Sequence, residues 1–323
     1  MPRLQSIYTL LLFVCMLVLS QCHHVPIQKD LQGKLHTVSI DHDAYHRSFS
    51  YYLPAKRSGK HPIIFVFHSS NSCAMEIREQ FGYRLDRLAE ADGTVVVYPQ
   101  GVQKHWNDCR KQGPYAANTE DIDDVGFVKA IIEFLGTRHD IDTDKVFATG
   151  LSNGGNFALR LALEYPNIRA VAAVGTNFPA EENFDCRHSQ HPVSFLLMNG
   201  TADPINPYDG GMVSLYGLGK RGVVLSSDQT IGYWLRNANI HTVPSEKQLP
   251  SRGPKDERRS RHRQWSNGEV LVELISVKGG GHNIPGDFGW SPPFFGPRIH
   301  DYWGGDVIYD FFTRVSSTEI IKR

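Results

Sequence analysis

The chain of 323 residues reads as an α/β protein, a mostly parallel sheet with helices on both faces. Two observations predict this. Short apolar runs alternate with stretches whose apolar residues recur at helical spacing. Several of the short runs are also apolar at consecutive positions, as strands buried on both faces must be.

Pro62 to His68 is the first such run, an uninterrupted core strand. The spacing of Phe81, Leu85 and Leu88 predicts a helix from Ile77 to Ala91, stopped by Gly93. Thr94 to Tyr98 repeats the strand pattern, and Pro99 to Glu120 is a long polar loop containing Trp106. Loops of that length in a compact domain are usually functional. Asp121, Asp123 and Asp124 open a helix with the stripe Val125, Val128, Ile131, Ile132 and Leu135, since carboxylates suit the exposed amides of a helix start. They lack the alternating ligands and closing Glu of a calcium loop.

Lys145 to Thr149 is the next strand and Asn153 to Tyr165 the helix behind it. Val171 to Val174 and Val193 to Met198 follow as strands, then a helix from Asp228 to Asn237 and a last strand from Val270 to Val277. A closing helix, Gly305 to Arg314, packs through Val307, Ile308, Phe311 and Phe312. The Arg- and Lys-rich stretch Arg252 to Arg263 reads as a solvated, mobile hairpin tip between two strands. Neither a repeat nor a Pro- or Ser-rich linker divides residues 21–323, which are expected to form one domain.

Lys plus Arg and Asp plus Glu both number 34, giving a formal net charge of zero. That balance argues against nucleic acid or an anionic membrane surface as the main partner. Residues 1–20 form an expected signal peptide: Arg3 supplies the positive start, Ile7 to Leu19 the apolar stretch, and Ser20 a small residue for cleavage. The stretch is too short to span a bilayer. Leu19-Ser20-Gln21-Cys22 also hints at lipid attachment to Cys22, which Gln21 argues against. Export to the periplasm or the exterior would let disulfides persist among Cys22, Cys73, Cys109 and Cys186. Cys73 with Cys109 is the expected bridge, both falling in loops at one sheet edge.

Thr149 to Gly155 contains Gly150-Leu151-Ser152-Asn153-Gly154 between an expected strand and an expected helix. A sharp turn in that context holds the serine in a strained conformation with its hydroxyl above the sheet. Such a hydroxyl needs a base, and the base an orienting acid. Asp203 lies just past the Val193 to Met198 strand and His282 just past the last strand, so serine, acid and base arrive in the required order. His300 is the alternative base and Asp209 the alternative acid. For the oxyanion, one donor is the Asn153 amide at the helix start. The other is expected from Ser69 or Ser70, after the first core strand. Acyl transfer by this constellation requires neither metal nor organic cofactor.

The chain resembles the polyhydroxybutyrate-depolymerase-like and feruloyl-esterase group of secreted α/β-hydrolases, akin to carbohydrate esterase family 1. The likeness rests on Tyr98-Pro99-Gln100-Gly101, Trp106-Asn107-Asp108, Asp123 to Phe127, Gly150 to Gly155, Asn199 to Pro204 and Gly279 to Gly286, and runs from about Thr37 to Arg314. It implies a secreted serine carboxylesterase with Ser152, Asp203 and His282 as its triad. Two positions depart from the group's pattern: His68-Ser69 stands where His-Gly is common, and Asn199-Gly200-Thr201 where His-Gly-Thr is usual. The second also creates a glycosylation sequon, read as coincidental.

Trp106, Trp290 and Phe294, with Phe288, Phe295, Tyr302 and Trp303 nearby in sequence, are candidates to line a cleft for an aromatic or apolar acyl group. Packing of the loop onto the sheet is the competing reading. Without a polymer-binding module, soluble feruloyl-type or short-chain hydroxyacyl esters are expected substrates ahead of a polyester. A peptidase, or a binding protein that has lost turnover, are the other readings of the same scaffold.

Overall fold

A computed structural model describes residues 31–56, 59–189, 191–251, 260–289 and 291–317. Residues 1–20, expected to be a signal peptide, lie outside these residues, as do Cys22 and Trp290. An edge hairpin comes first, β1 (Lys34–His42) and β2 (Tyr45–Leu53), followed by β3 (His61–Phe67). Two short helices, α1 (Ala74–Gln80) and α2 (Arg84–Asp92), lead to β4 (Val95–Pro99). The one-turn α3 (Ala116–Thr119) and α4 (Asp124–Gly136) precede β5 (Ile141–Leu151), α5 (Asn153–Glu164), β6 (Ile168–Val174) and β7 (Ser194–Gly200). A small hairpin, β8 (Gly211–Met212) and β9 (Val223–Val224), leads to α6 (Ser227–Asn237). Then come β10 (Ser245–Gln248), β11 (Arg261–Ser266), β12 (Leu271–Val277) and α7 (Gly304–Ser317).

Ten strands form one sheet in the order β1-β2-β4-β3-β5-β6-β7-β12-β11-β10. The pairs from β4 through β12 are parallel and the outer pairs antiparallel. Alternation along β3 splits the core: Ile63, Phe65 and Phe67 pack with α4, α5 and α6, while Ile64 and Val66 pack with α1, α2 and α7. Helices therefore cover both faces, as the apolar runs require. β4 lies on one side of β3 and β5 on the other, so the chain reverses direction across the sheet at β3. Beyond such a switch, the carboxyl ends of neighbouring strands open a crevice.

The structure corrects several expectations. The helix expected over Ile77 to Ala91 is broken in two, because Gly82 (φ 62) and Tyr83 (φ 58) adopt left-handed conformations. A side chain at Gly82 would meet Trp303, the residue before α7, at 2.7 Å, so only glycine fits at the break. Gly93 does stop α2, at φ 81. The Pro99 to Glu120 loop contains the short α3. Strands β10 and β11, on either side of the stretch expected to be a hairpin tip, pair antiparallel; residues 252–259 lie outside the described residues. Cys109 is bonded to Cys186 and not to Cys73, which is in a disulfide of its own. The reason is local: the Asp185 amide donates to the Cys109 carbonyl (2.9 Å) and Arg110 bridges Phe184, bringing the two loops side by side.

Candidate active site

Four loops at the carboxyl ends of β3, β5, β7 and β12 carry the candidate triad and oxyanion residues. Ser152, between β5 and α5, has φ 58 and ψ −119, a strained conformation for a side chain with a Cβ. Its amide donates to the Val174 carbonyl at the end of β6 (2.8 Å). The turn fits only because its flanking residues are glycine: a Cβ on Gly150 would strike the Gly154 backbone, and one on Gly154 the Phe67 carbonyl.

His282 follows β12 and Asp203 follows β7. His282 Nδ1 lies 2.7 Å from Asp203 Oδ2, with both side chains almost wholly shielded from solvent. The other carboxylate oxygen, Oδ1, accepts the amides of Ile205 (2.8 Å) and Asn206 (2.9 Å). An Nδ1–H donated to Asp203 leaves Nε2 as the proton-accepting end of the ring. The two loops are laced together, Ala202 N to Gly280 O (2.9 Å) and Gly279 N to Thr201 Oγ1 (2.9 Å). A Cβ at Gly175, one residue past Val174, would lie 3.2 Å from Cε1 of His282. The imidazole thus lies against the residue after Val174, whose carbonyl accepts the Ser152 amide. His300 instead bonds Asp287 at the surface (3.0 Å), and Asp209 is exposed; neither joins the Asp203–His282 pair.

The loop after β3 is fixed by His68, which is fully buried. Its Nε2 accepts the Gly101 amide (3.0 Å), so Nδ1 carries the proton and donates to the Ser69 carbonyl (2.9 Å). Burial pushes the imidazole pKa down to about 4. Ser69 is nearly buried, while the Ser70 hydroxyl donates to Tyr115 Oη (3.0 Å).

Asn153 offers more than its amide. Its Nδ2 donates to Asp108 Oδ2 (2.6 Å) and to the Trp106 carbonyl (3.0 Å), and its Oδ1 accepts the Trp106 amide (2.8 Å). Asp108 is also paired with Arg110, and both are buried. The sequence marked Asp108 only as part of a motif; the Trp106-Asn107-Asp108 triplet was the signal. Trp106 does not line a cleft: it is fully buried, stacks on Phe157 (5.2 Å) and donates from Nε1 to the His68 carbonyl (3.0 Å). Phe294 is 45% exposed and packs edge-on to Phe295, which in turn meets the His282 ring edge-on at 5.5 Å.

The sequon asparagine is 1% exposed, its Nδ2 donating to the Thr176 carbonyl (2.8 Å), Asn177 Oδ1 and Ser227 Oγ. The folded chain presents no amide there for a glycan.

The strand order and the turn at Ser152 define an α/β-hydrolase. The chain belongs to the esterase family described as "Esterase PHB depolymerase", whose model matches residues 47–210, and is a carboxylic ester hydrolase. It is 29% identical over 276 residues to the protein named "Putative esterase NocK" of Nocardia uniformis subsp. tsuyamanensis, covering 83% of this chain and 78% of that one. It is 25% identical to feruloyl esterase B of Piromyces equi, over 71% of this chain and 41% of that protein. Among solved structures, the acetyl xylan esterase from Aspergillus awamori shares the fold, with a TM-score of 0.55 at 14% identity over 87% of this chain and 99% of that one.

Proposed function

We propose that this esterase works through a Ser152–His282–Asp203 triad on soluble feruloyl-type or short-chain hydroxyacyl esters. The observation that carries the reading is the buried 2.7 Å contact between His282 and Asp203 beside the strained Ser152 turn. His282 takes the Ser152 proton as the hydroxyl attacks the ester carbonyl, and returns it to the departing alcohol. Water, deprotonated by the same ring, then releases the acid. Asp203 holds the ring's tautomer and stabilises its cation. The Asn153 amide and one from Ser69 or Ser70 receive the oxyanion. Phe294, at the rim beyond Phe295, contacts the substrate; the feruloyl esterases among the relatives support an aromatic acyl group.

Within this reading residues 1–20 direct export, residues 21–323 form one catalytic domain, and the protein acts outside the cytoplasm; the Cys109–Cys186 disulfide favours such a compartment.

Ser152→Ala tests the mechanism. Turnover of 4-nitrophenyl butyrate should fall on the order of 10⁶-fold, as when a serine protease loses its nucleophile, and fluorophosphonate labelling should disappear while the melting temperature holds. Retained turnover overturns the triad. A panel of hydroxycinnamoyl, acetyl and hydroxybutyryl esters then ranks the acyl groups.

A further inference from the structure

Between β8 and β9 the chain makes an arm, residues 213–222, that reaches toward both sides of the candidate site. At one end the Tyr216 hydroxyl donates to the Phe294 carbonyl (3.1 Å), on the side of His282. At the other, Arg221 Nε donates to Tyr115 Oη (2.6 Å), the same oxygen that accepts the Ser70 hydroxyl. Arg221 is therefore one phenol oxygen away from the loop proposed to bind the oxyanion.

Arg221 is held in place from both ends. Its amide donates to the Val213 carbonyl (2.9 Å), and its own carbonyl accepts Nδ2 of Asn183 (3.2 Å), a fully buried residue. Gly222 at φ 84 allows that approach, since a Cβ there would overlap the Asn183 side chain. The guanidinium is fixed by neutral acceptors alone, Tyr115 Oη and the Gly219 carbonyl (3.0 Å). Arg47, Arg78, Arg84 and Arg110 each pair with an aspartate. Among the described residues no carboxylate pairs with Arg221.

His105 stacks on the Tyr115 ring (4.1 Å); burial, with the nearby Arg221 charge contributing, keeps its pKa below the usual value. The Lys104 carbonyl accepts the Asn71 amide, so that lysine's backbone abuts the same loop. Arg110, beside Tyr115, is already neutralised by Asp108. A guanidinium oriented in advance, with its Nη2 donors uncommitted among the described residues, can give a charge-assisted hydrogen bond to an anion.

We propose that Arg221 forms an anion subsite beside Ser70, and that the preferred substrate is an ester carrying a free carboxylate. Esters of dicarboxylic acids and of hydroxy acids are the chemical classes that fit. The proposal rests on the serine-esterase reading above and narrows its substrate.

The test compares matched esters differing only in charge. One pair places it on the acyl side, mono-4-nitrophenyl adipate against 4-nitrophenyl adipamate; the other on the alcohol side, 4-carboxyphenyl butyrate against 4-carbamoylphenyl butyrate. In at least one pair the ratio of kcat/KM, acid over amide, should exceed unity, fall about tenfold in Arg221→Gln and remain high in Arg221→Lys. An equal ratio in wild type and Arg221→Gln, or a uniform loss on both members of a pair, makes Arg221 a strut of the arm and overturns the subsite. Turnover of neither member, with no fluorophosphonate labelling of Ser152, removes the esterase reading and the subsite with it. Labelling without preference removes the subsite alone.

Discussion

The Asp108 carboxylate accepts Nδ2 of Asn153 at 2.6 Å while pairing with Arg110, so a buried ion pair fixes the residue that follows Ser152. Removing its charge leaves the Arg110 cation buried without its partner, which is strongly destabilising. Asp108→Asn should lower stability by about 3 kcal/mol in urea titration. It should also lower kcat by about 10- to 100-fold with KM little changed, as expected when a group that stabilises the transition state shifts by a fraction of an ångström. An unchanged kcat would separate Asp108 from the orientation of the Asn153 amide.

His68 makes stability depend on pH. Its pKa in the folded protein is about 4, below the ordinary value of 6.5, because burial disfavours the imidazolium. The unfolded chain therefore binds the extra proton first. The stabilisation is complete above pH 6.5 and is lost as pH falls through that value toward 4. The difference is about 3 kcal/mol at most. Denaturant midpoints measured from pH 7 to pH 4 should fall more steeply in the wild type than in His68→Gln, which keeps an acceptor for the Gly101 amide but cannot titrate. Parallel slopes would refute this.

The Cys109–Cys186 bridge spans 77 residues of chain and joins the loop bearing Asp108 to the segment after β6. Closing a loop of that length restricts the unfolded chain, and a Cys186→Ser substitution should cost about 2–4 kcal/mol. Because Asp108 adjoins Cys109, heating should abolish esterase activity and unfold the variant together, several degrees below the wild type. Coincident melting curves for variant and wild type would show that the surrounding hydrogen bonds suffice.

The positions of Ser152, Asp203 and His282 at one rim of the sheet were legible in the sequence because each follows a strand recognisable by its own apolar run. A sheet brings the carboxyl ends of parallel strands to one rim whatever the loops do. The paths of those loops were not legible. Trp106 looked like a cleft residue because the loop carrying it is polar; three hydrogen bonds and a stack on Phe157 decide its burial. Cys109 paired with Cys186 rather than Cys73 for the same reason, proximity created by tertiary contacts. The first hairpin, β1 and β2, has alternating and mixed burial, so it left no continuous apolar run to find. Arg221 was silent in the sequence because the role proposed for it rests on its having no carboxylate partner among the described residues, which only the folded chain displays.

His282 comes 79 residues after Asp203, in the loop that follows β12, the strand that inserts between β7 and β11. During synthesis the proposed nucleophile and its acid thus leave the ribosome long before the proposed base. On the proposed mechanism hydrolytic competence is withheld until the final third of the sheet closes, and a polypeptide interrupted anywhere upstream is inert toward the esters of the cell that makes it.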